Sequence, residues 1–261
     1  MPDLLFFCRF NVIYSLMQVF TLEIRTTFLN QEIVLNPSVI QDKEAIFLVD
    51  CGYAGSLELI SNCLEKYNLS LKDFTGIIIS HDDIDHLGGL CEIKTTYPHI
   101  KVFASQIEAP YVAGEQKSLR LIQAENAFTT LPEAYKSWAV AFQKSLNGIK
   151  RVPVDSTFSF DTSFSENIKI INTPGHTLGH ISIYLPHNKI LIANDAVVLE
   201  QGELAIANPQ FTLNLEQAVA SVNKLLNYQI DKLICYHGGE VVGNISEKLT
   251  TVLQKYKPEL V

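Results

Sequence analysis

The five cysteines of this 261-residue chain, Cys8, Cys51, Cys63, Cys91 and Cys235, are odd in number, widely scattered and never spaced C-x-x-C. Such a set supplies neither a disulfide framework nor a cysteine metal site, and it fits free thiols in a reducing cytoplasm. Basic residues are also scarce, 20 Lys and Arg against 28 Asp and Glu for a net charge of −8. That balance argues against the basic face by which proteins bind nucleic acid, and the densest basic spot, Lys150-Arg151, reads as a solvated turn. No G-x-S-x-G elbow is present, which removes the usual frame for a serine nucleophile. A membrane span is missing too. The apolar stretch Met1 to Leu16 is shorter than the roughly 20 residues that cross a bilayer. Arg9 and Asn11 interrupt it, and it has neither a basic start nor a small-residue cleavage site. Residues 1–16 are expected to be a dispensable extension, with the folded domain beginning at Met17. The apolar fraction, 47%, suffices for one globular domain with a full core.

Potential metal ligands, by contrast, are concentrated. The apolar run Ile77-Ile78-Ile79 leads directly into Ser80-His81-Asp82-Asp83-Ile84-Asp85-His86, and Gly88-Gly89 follows. His81, Asp83, Asp85 and His86 offer two imidazoles and two carboxylates within six residues. Crowded at a strand exit, these groups repel or desolvate one another unless something binds them, and a cation is the simplest candidate. Three further apolar runs end in the same kind of residue. Ile168-Lys169-Ile170-Ile171 precedes Thr173-Pro174-Gly175-His176-Thr177-Leu178-Gly179-His180, Ile190 to Asn194 ends at Asp195, and Leu233 to Tyr236 ends at His237.

Together with Leu48-Val49-Asp50-Cys51-Gly52, these five motifs in this order resemble those of the metallo-β-lactamase superfamily, over about residues 17 to 256. Its small stand-alone hydrolases related to glyoxalase II and the lactonases are the most similar branch. The resemblance implies an α/β fold of four layers, αββα, and two divalent metal ions, with zinc first and iron or manganese as alternatives. It places His81, Asp83 and His176 on one ion, Asp85, His86 and His237 on the other, and Asp195 between them. It further implies hydrolysis of an ester, thioester or lactone-like bond in a small molecule by a hydroxide held between the ions, oriented by Asp85. His180 and Asp50 are expected to orient the ligands instead of binding metal.

Asp83 departs from the family pattern, in which a second histidine stands at that position. Counting two divalent ions, three carboxylates and a hydroxide, the Asp form is neutral where the His form would keep one positive charge, so a weaker Lewis acid is expected. Oxygen ligation also favours harder metals, and the flavodiiron branch carries an acid here. A di-iron redox role therefore stays open, although that branch goes with a flavin domain that this sequence does not contain. A non-catalytic metal-binding sensor is the other alternative.

The hydropathy pattern predicts strands over 18–24, 33–40 and 45–50, with Gln41 to Glu44 as a hairpin turn, and a helix from Leu57 to Tyr67. It continues with strand 76–80, helix 85–94 and a strand at 102–104. The second half repeats the plan with strands near 157–160, 168–172, 180–185, 189–194 and 232–236 and helices over 214–227 and 244–256. Asn214 and Gln217 have capping-box spacing. Residues 107–150 interrupt this order as a helical insertion near the site. Tyr111, Phe128, Tyr135, Trp138 and Phe142 within it could form a small core or line a pocket. His99 and His187 read as exposed.

Overall fold

A computed structural model describes residues 17–256 except Glu44 and Phe160. The expected extension over residues 1–16 lies outside that range. The first half contains β1 (Gln18–Thr21), β2 (Ile24–Phe28), β3 (Gln31–Leu35), β4 (Ser38–Asp42) and β5 (Ala45–Val49), then α1 (Ser56–Glu65) and β6 (Gly76–Ile78). Two short helices, α2 (Ile84–Leu87) and α3 (Leu90–Thr96), and β7 (Lys101–Ser105) follow. The insertion is helical, with α4 (Ala109–Val112), α5 (Leu119–Phe128) and α6 (Glu133–Asn147), and β8 (Ser156–Phe158) closes this half. The second half runs β9 (Ser163–Ser165), β10 (Ile168–Asn172), β11 (Ile181–Leu185), β12 (Ile190–Asn194), β13 (Val198–Glu200) and β14 (Glu203–Ala205). It ends with α7 (Leu215–Leu225), β15 (Lys232–Cys235), β16 (Gly239–Val242) and α8 (Ile245–Lys255).

The strands form two six-stranded sheets, ordered β1-β4-β5-β6-β7-β8 and β16-β15-β12-β11-β10-β9. Because side chains alternate along a strand, each sheet has two apolar faces to cover. In β5, Phe47 and Val49 join Ile78 and Phe158 against Ile170, Ile181, Ile183 and Ile192 of the other sheet, forming the central core. The alternate residues Ile46 and Leu48 turn outward, with Ile77 and Val102, onto Ile60 and Leu64 of α1 and Leu90 and Ile93 of α3. On the far side Leu191, Ala193 and Leu233 meet Val222 and Leu225 of α7 and Leu249 and Val252 of α8. Each such buried Leu or Ile contributes roughly 1.5–3 kcal/mol. The result is the four-layer αββα sandwich. Among the described residues no helix is long and apolar enough to cross a membrane.

The strand expected over 33–40 is divided at Asn36-Pro37 into β3 and β4, and the hairpins that β3 forms with β2 and β13 with β14 are not in the hydropathy pattern. The β2–β3 pair, from Ile24↔Leu35 to Phe28↔Gln31, stands apart from both large sheets. Its sequence Arg25-Thr26-Thr27 is too polar to read as a core strand. The β13–β14 pair sets Leu199 opposite Leu204 and Glu200 opposite Glu203, and its strands of three residues each are too short to show a period. β4 runs through Gln41 and Asp42, which the pattern had assigned to the turn. The single helix expected over 85–94 is broken after Leu87 into α2 and α3. A side chain on Gly88 would run into the backbone at Tyr53 and Ala54, and one on Gly89 into the Cys51 carbonyl. The α2–α3 junction thereby lies directly against the turn that follows β5.

Candidate metal centre

Strands β5, β6 and β7 are parallel neighbours, as are β12 and β15, so within each sheet their C-terminal ends leave at one edge. The segments after β6, β10, β12 and β15, the first of them including α2, carry the seven residues singled out in the sequence, and the structure brings all seven together. Three overlapping sets have ligand atoms within 4.8 Å of one another: His81 with Asp83 and His176, Asp85 with His86 and His237, and His81 with His86 and Asp195. Asp195 faces both groups. Its Oδ1 lies 3.4 Å from Nε2 of His86, and its Oδ2 lies 3.5 Å from Nε2 of His176 and 3.6 Å from Nε2 of His237. Asp85 Oδ2 is 3.2 Å from His237 Nε2.

The donor set fits a cation. Nε2 of His81, Nε2 of His86 and Oδ1 of Asp195 are buried without a hydrogen-bond partner, which is costly for polar atoms unless a ligand satisfies them. The charge distribution makes the same demand. Burial alone would push His237 down, yet Asp195 and Asp85 draw its proton affinity up to about 10. His86, fully buried, is likewise pushed well above the imidazole range because Asp195, Asp50 and Asp85 outweigh desolvation. Acids crowded this closely call for positive charge.

Surrounding groups fix these side chains. Asp50, at φ 60°, accepts from the Ser80 backbone N–H at 2.8 Å and hydroxyl at 2.6 Å, and lies 2.8 Å from Nδ1 of His86, leaving Nε2 directed into the cluster. His180 accepts the Asp195 backbone N–H on Nε2 at 3.1 Å. Both were read from the sequence as orienting residues, and their contacts have that form. Cys51 donates its N–H to the His86 carbonyl at 2.7 Å, and its buried thiol faces the same oxygen at 3.2 Å. Desolvation, reinforced by Asp50, pushes that thiol well above its ordinary range.

Three contributors went unnoticed in the sequence. Tyr236 donates its hydroxyl to the Asp85 carbonyl at 2.6 Å and accepts the Gly52 N–H at 3.1 Å, tying α2 to the Asp50 turn. Glu108, fully buried immediately before α4, accepts from the Asp82 N–H at 2.9 Å, the Thr177 hydroxyl at 2.7 Å and the Gly179 N–H at 2.7 Å. It clamps the loop after β6 to the loop after β10. Arg120 of α5 meets Asp83 with two hydrogen bonds, Nε to Oδ1 at 2.9 Å and Nη2 to Oδ2 at 2.6 Å. Burial would push Asp83 up, but this guanidinium, aided by His176 and His81, holds it well below the usual carboxylate range. Arg120 thus returns the positive charge that an aspartate in place of histidine removes. An arginine between two leucines on a half-buried helix was the available signal. Arg151, expected in a solvated turn, instead pairs with the buried Asp82.

A cavity of about 300 Å³ opens over the cluster, at the small end of the range for ligand sites. Asp83, Asp85, His176, Asp195 and His237 form its polar floor, and Phe28, Tyr53, Trp138, Phe142 and Phe211 its aromatic wall. The two roles open in the sequence for the insertion aromatics overlap at Phe142, which lines the cavity and also belongs to a core. Phe142 is buried with Leu121 and Leu146 in a small core, while Trp138, 40% exposed and stacked on Phe142 at 5.0 Å, faces the cavity. Tyr135 is exposed.

Residues 34–237 match the model of the metallo-beta-lactamase superfamily. The chain belongs to that superfamily. Among its relatives, the probable metallo-hydrolase YflN of Bacillus subtilis is 25% identical over 82% of this chain and 83% of its own length. A hydroxyacylglutathione hydrolase of Vibrio cholerae is 26% identical over 68% of this chain and 52% of its own length. The solved structure of AidC, described as a dizinc quorum-quenching lactonase, superimposes with a TM-score of 0.56 over 81% of this chain and 76% of that one. At 20% identity that likeness speaks to the fold alone.

Proposed function

We propose that this superfamily member is a metal-dependent hydrolase that cleaves an ester, thioester or lactone-like bond in a small molecule. The observation that carries the reading is the convergence of seven His and Asp side chains, several with unpartnered buried donor atoms, on the floor of an aromatic-walled cavity. His81, Asp83 and His176 would hold one ion and Asp85, His86 and His237 the other, with Asp195 shared. When bound, divalent ions acidify water and withdraw electrons from a carbonyl. The relatives named metallo-hydrolase and hydroxyacylglutathione hydrolase support this class of reaction.

The protein's own groups supply the rest. Asp85, whose side chain is 16% exposed toward the cavity, holds the proton released by the attacking water. Water's oxygen then joins the carbonyl carbon while the bond to the leaving oxygen or sulfur breaks, and the leaving group takes up a proton. Phe28, Tyr53, Trp138 and Phe142 receive the apolar acyl part and limit access of bulk water. The test is a panel of chromogenic esters, lactones and thioesters, run on protein stripped of metal and on protein reloaded with zinc, manganese or iron. Turnover only after reloading is expected. Full turnover by stripped protein, or none with any metal and substrate class, overturns the proposal. Elemental analysis of protein purified without added metal identifies the ion.

A further inference from the structure

We propose that Arg120 is a resident cation for the Asp83–His176 side of the cluster, so that the two ion positions fill unequally, the Asp85–His86–His237 position first. This inference rests on the reading of the cluster as a metal centre. Oδ2 of Asp83 is the oxygen that faces His81 at 3.3 Å and His176 at 3.0 Å, and it is the same oxygen that receives Nη2 of Arg120 at 2.6 Å. Nη2 also lies 3.2 Å from Nε2 of His176. In either tautomer that ring nitrogen is engaged. As N–H it donates to Asp83, and as a lone pair it accepts from Arg120.

The guanidinium is held where it is. Arg120 is only 4% exposed, its Nη1 donates to Oε1 of Gln123, and its charged end lies 5.6 Å from the centre of the Phe211 ring. An ion sharing Oδ2 must therefore sit close to a fixed positive charge in a buried site, where Coulomb repulsion is poorly screened. The other side has no such occupant. Among the described residues Asp85 and Asp195 pair with histidines and with no Lys or Arg.

The experiment is a calorimetric titration of the stripped full-length protein with Zn²⁺, repeated with Co²⁺ and absorption spectroscopy. The expected result for the wild type is a tight step, lost in His237→Ala, and a second step weaker by at least about tenfold. Arg120→Met is expected to tighten the weaker step by at least about tenfold while leaving the tight step in place. The stripped Arg120→Met variant should also melt below the wild type, because Asp83 is left without its partner. Where Arg120→Met does not fold, Asp83→His combined with Arg120→Met keeps the question open to measurement, and two steps of similar affinity are expected. Equal steps in the wild type, or a weaker step that stays unchanged or loosens without Arg120, overturn the inference alone. Absence of any bound ion in the wild type overturns the proposed function and this inference together.

Discussion

Nε2 of His180 accepts the backbone N–H of Asp195 at 3.1 Å, so one loop sets the direction of a carboxylate on another. His180 is fully buried, and desolvation together with His81 and His176 keeps it well below the imidazole range and hence neutral. With Nε2 an acceptor, Nδ1 carries the hydrogen and faces the Thr173 carbonyl at 3.1 Å. Replacing His180 by Leu strands the Asp195 N–H in a buried site, at a cost of about 1–3 kcal/mol. The same change should weaken metal binding by about 10- to 100-fold. Denaturant melts of stripped protein and metal titrations measure the two effects separately.

Removing a donor from the centre has a larger effect on turnover than on folding. His81→Ala and Asp195→Ala should each abolish hydrolysis and lower the metal content, because both side chains belong to the overlapping sets. Bound metal per chain, by mass spectrometry of the elements, and turnover of a responsive substrate are the readouts. Wild-type metal content in both variants would contradict the assignment.

Glu108 makes stability depend on pH in a predictable direction. Burial, with a contribution from Asp82, raises its carboxyl from 4.5 to about 7 despite the three hydrogen bonds it accepts. Its proton is bound more tightly in the folded than in the unfolded chain, so its contribution is complete below about pH 4.5 and is lost as pH rises through about 7. The full loss is on the order of 3 kcal/mol. Glu108→Gln cannot titrate. In denaturant melts of stripped protein, wild type should therefore lose stability relative to Glu108→Gln between pH 4.5 and pH 8. A constant difference across that range would refute the prediction.

Gly89→Ala tests the contact between the α2–α3 junction and the Asp50 turn. The added methyl group meets the Cys51 carbonyl, which is backbone and cannot swing aside. A loss of about 1–3 kcal/mol is expected from overpacking. Because the Cys51 N–H bonds to the His86 carbonyl, the displaced turn should also weaken metal binding. Thermal melts with and without added metal separate the two effects, the loss of stability being larger when metal is present.

Much of the architecture was legible because its signals are local. Phe47 and Leu48 are neighbours that face opposite layers, and that alternation is visible as a period in the chain. Asn214 at the start of α7 accepts the Gln217 N–H at 2.9 Å, a contact written into a spacing of three residues. The β2–β3 and β13–β14 hairpins were not legible, since Arg25-Thr26-Thr27 interrupts the apolar residues of β2, and β13 and β14, three residues each, are too short for an alternation to show.

The sequence by itself determined which residues stand at the strand ends, because His81, Asp83, Asp85 and His86 occupy one short segment and apolar runs announce the others. Only the tertiary structure decided what balances them. Arg120 lies 37 positions from Asp83, and Glu108 lies 71 from Gly179. An ion pair or a buried carboxylate clamp depends on distance in space and on the exclusion of water, and neither leaves a periodic mark along the polymer.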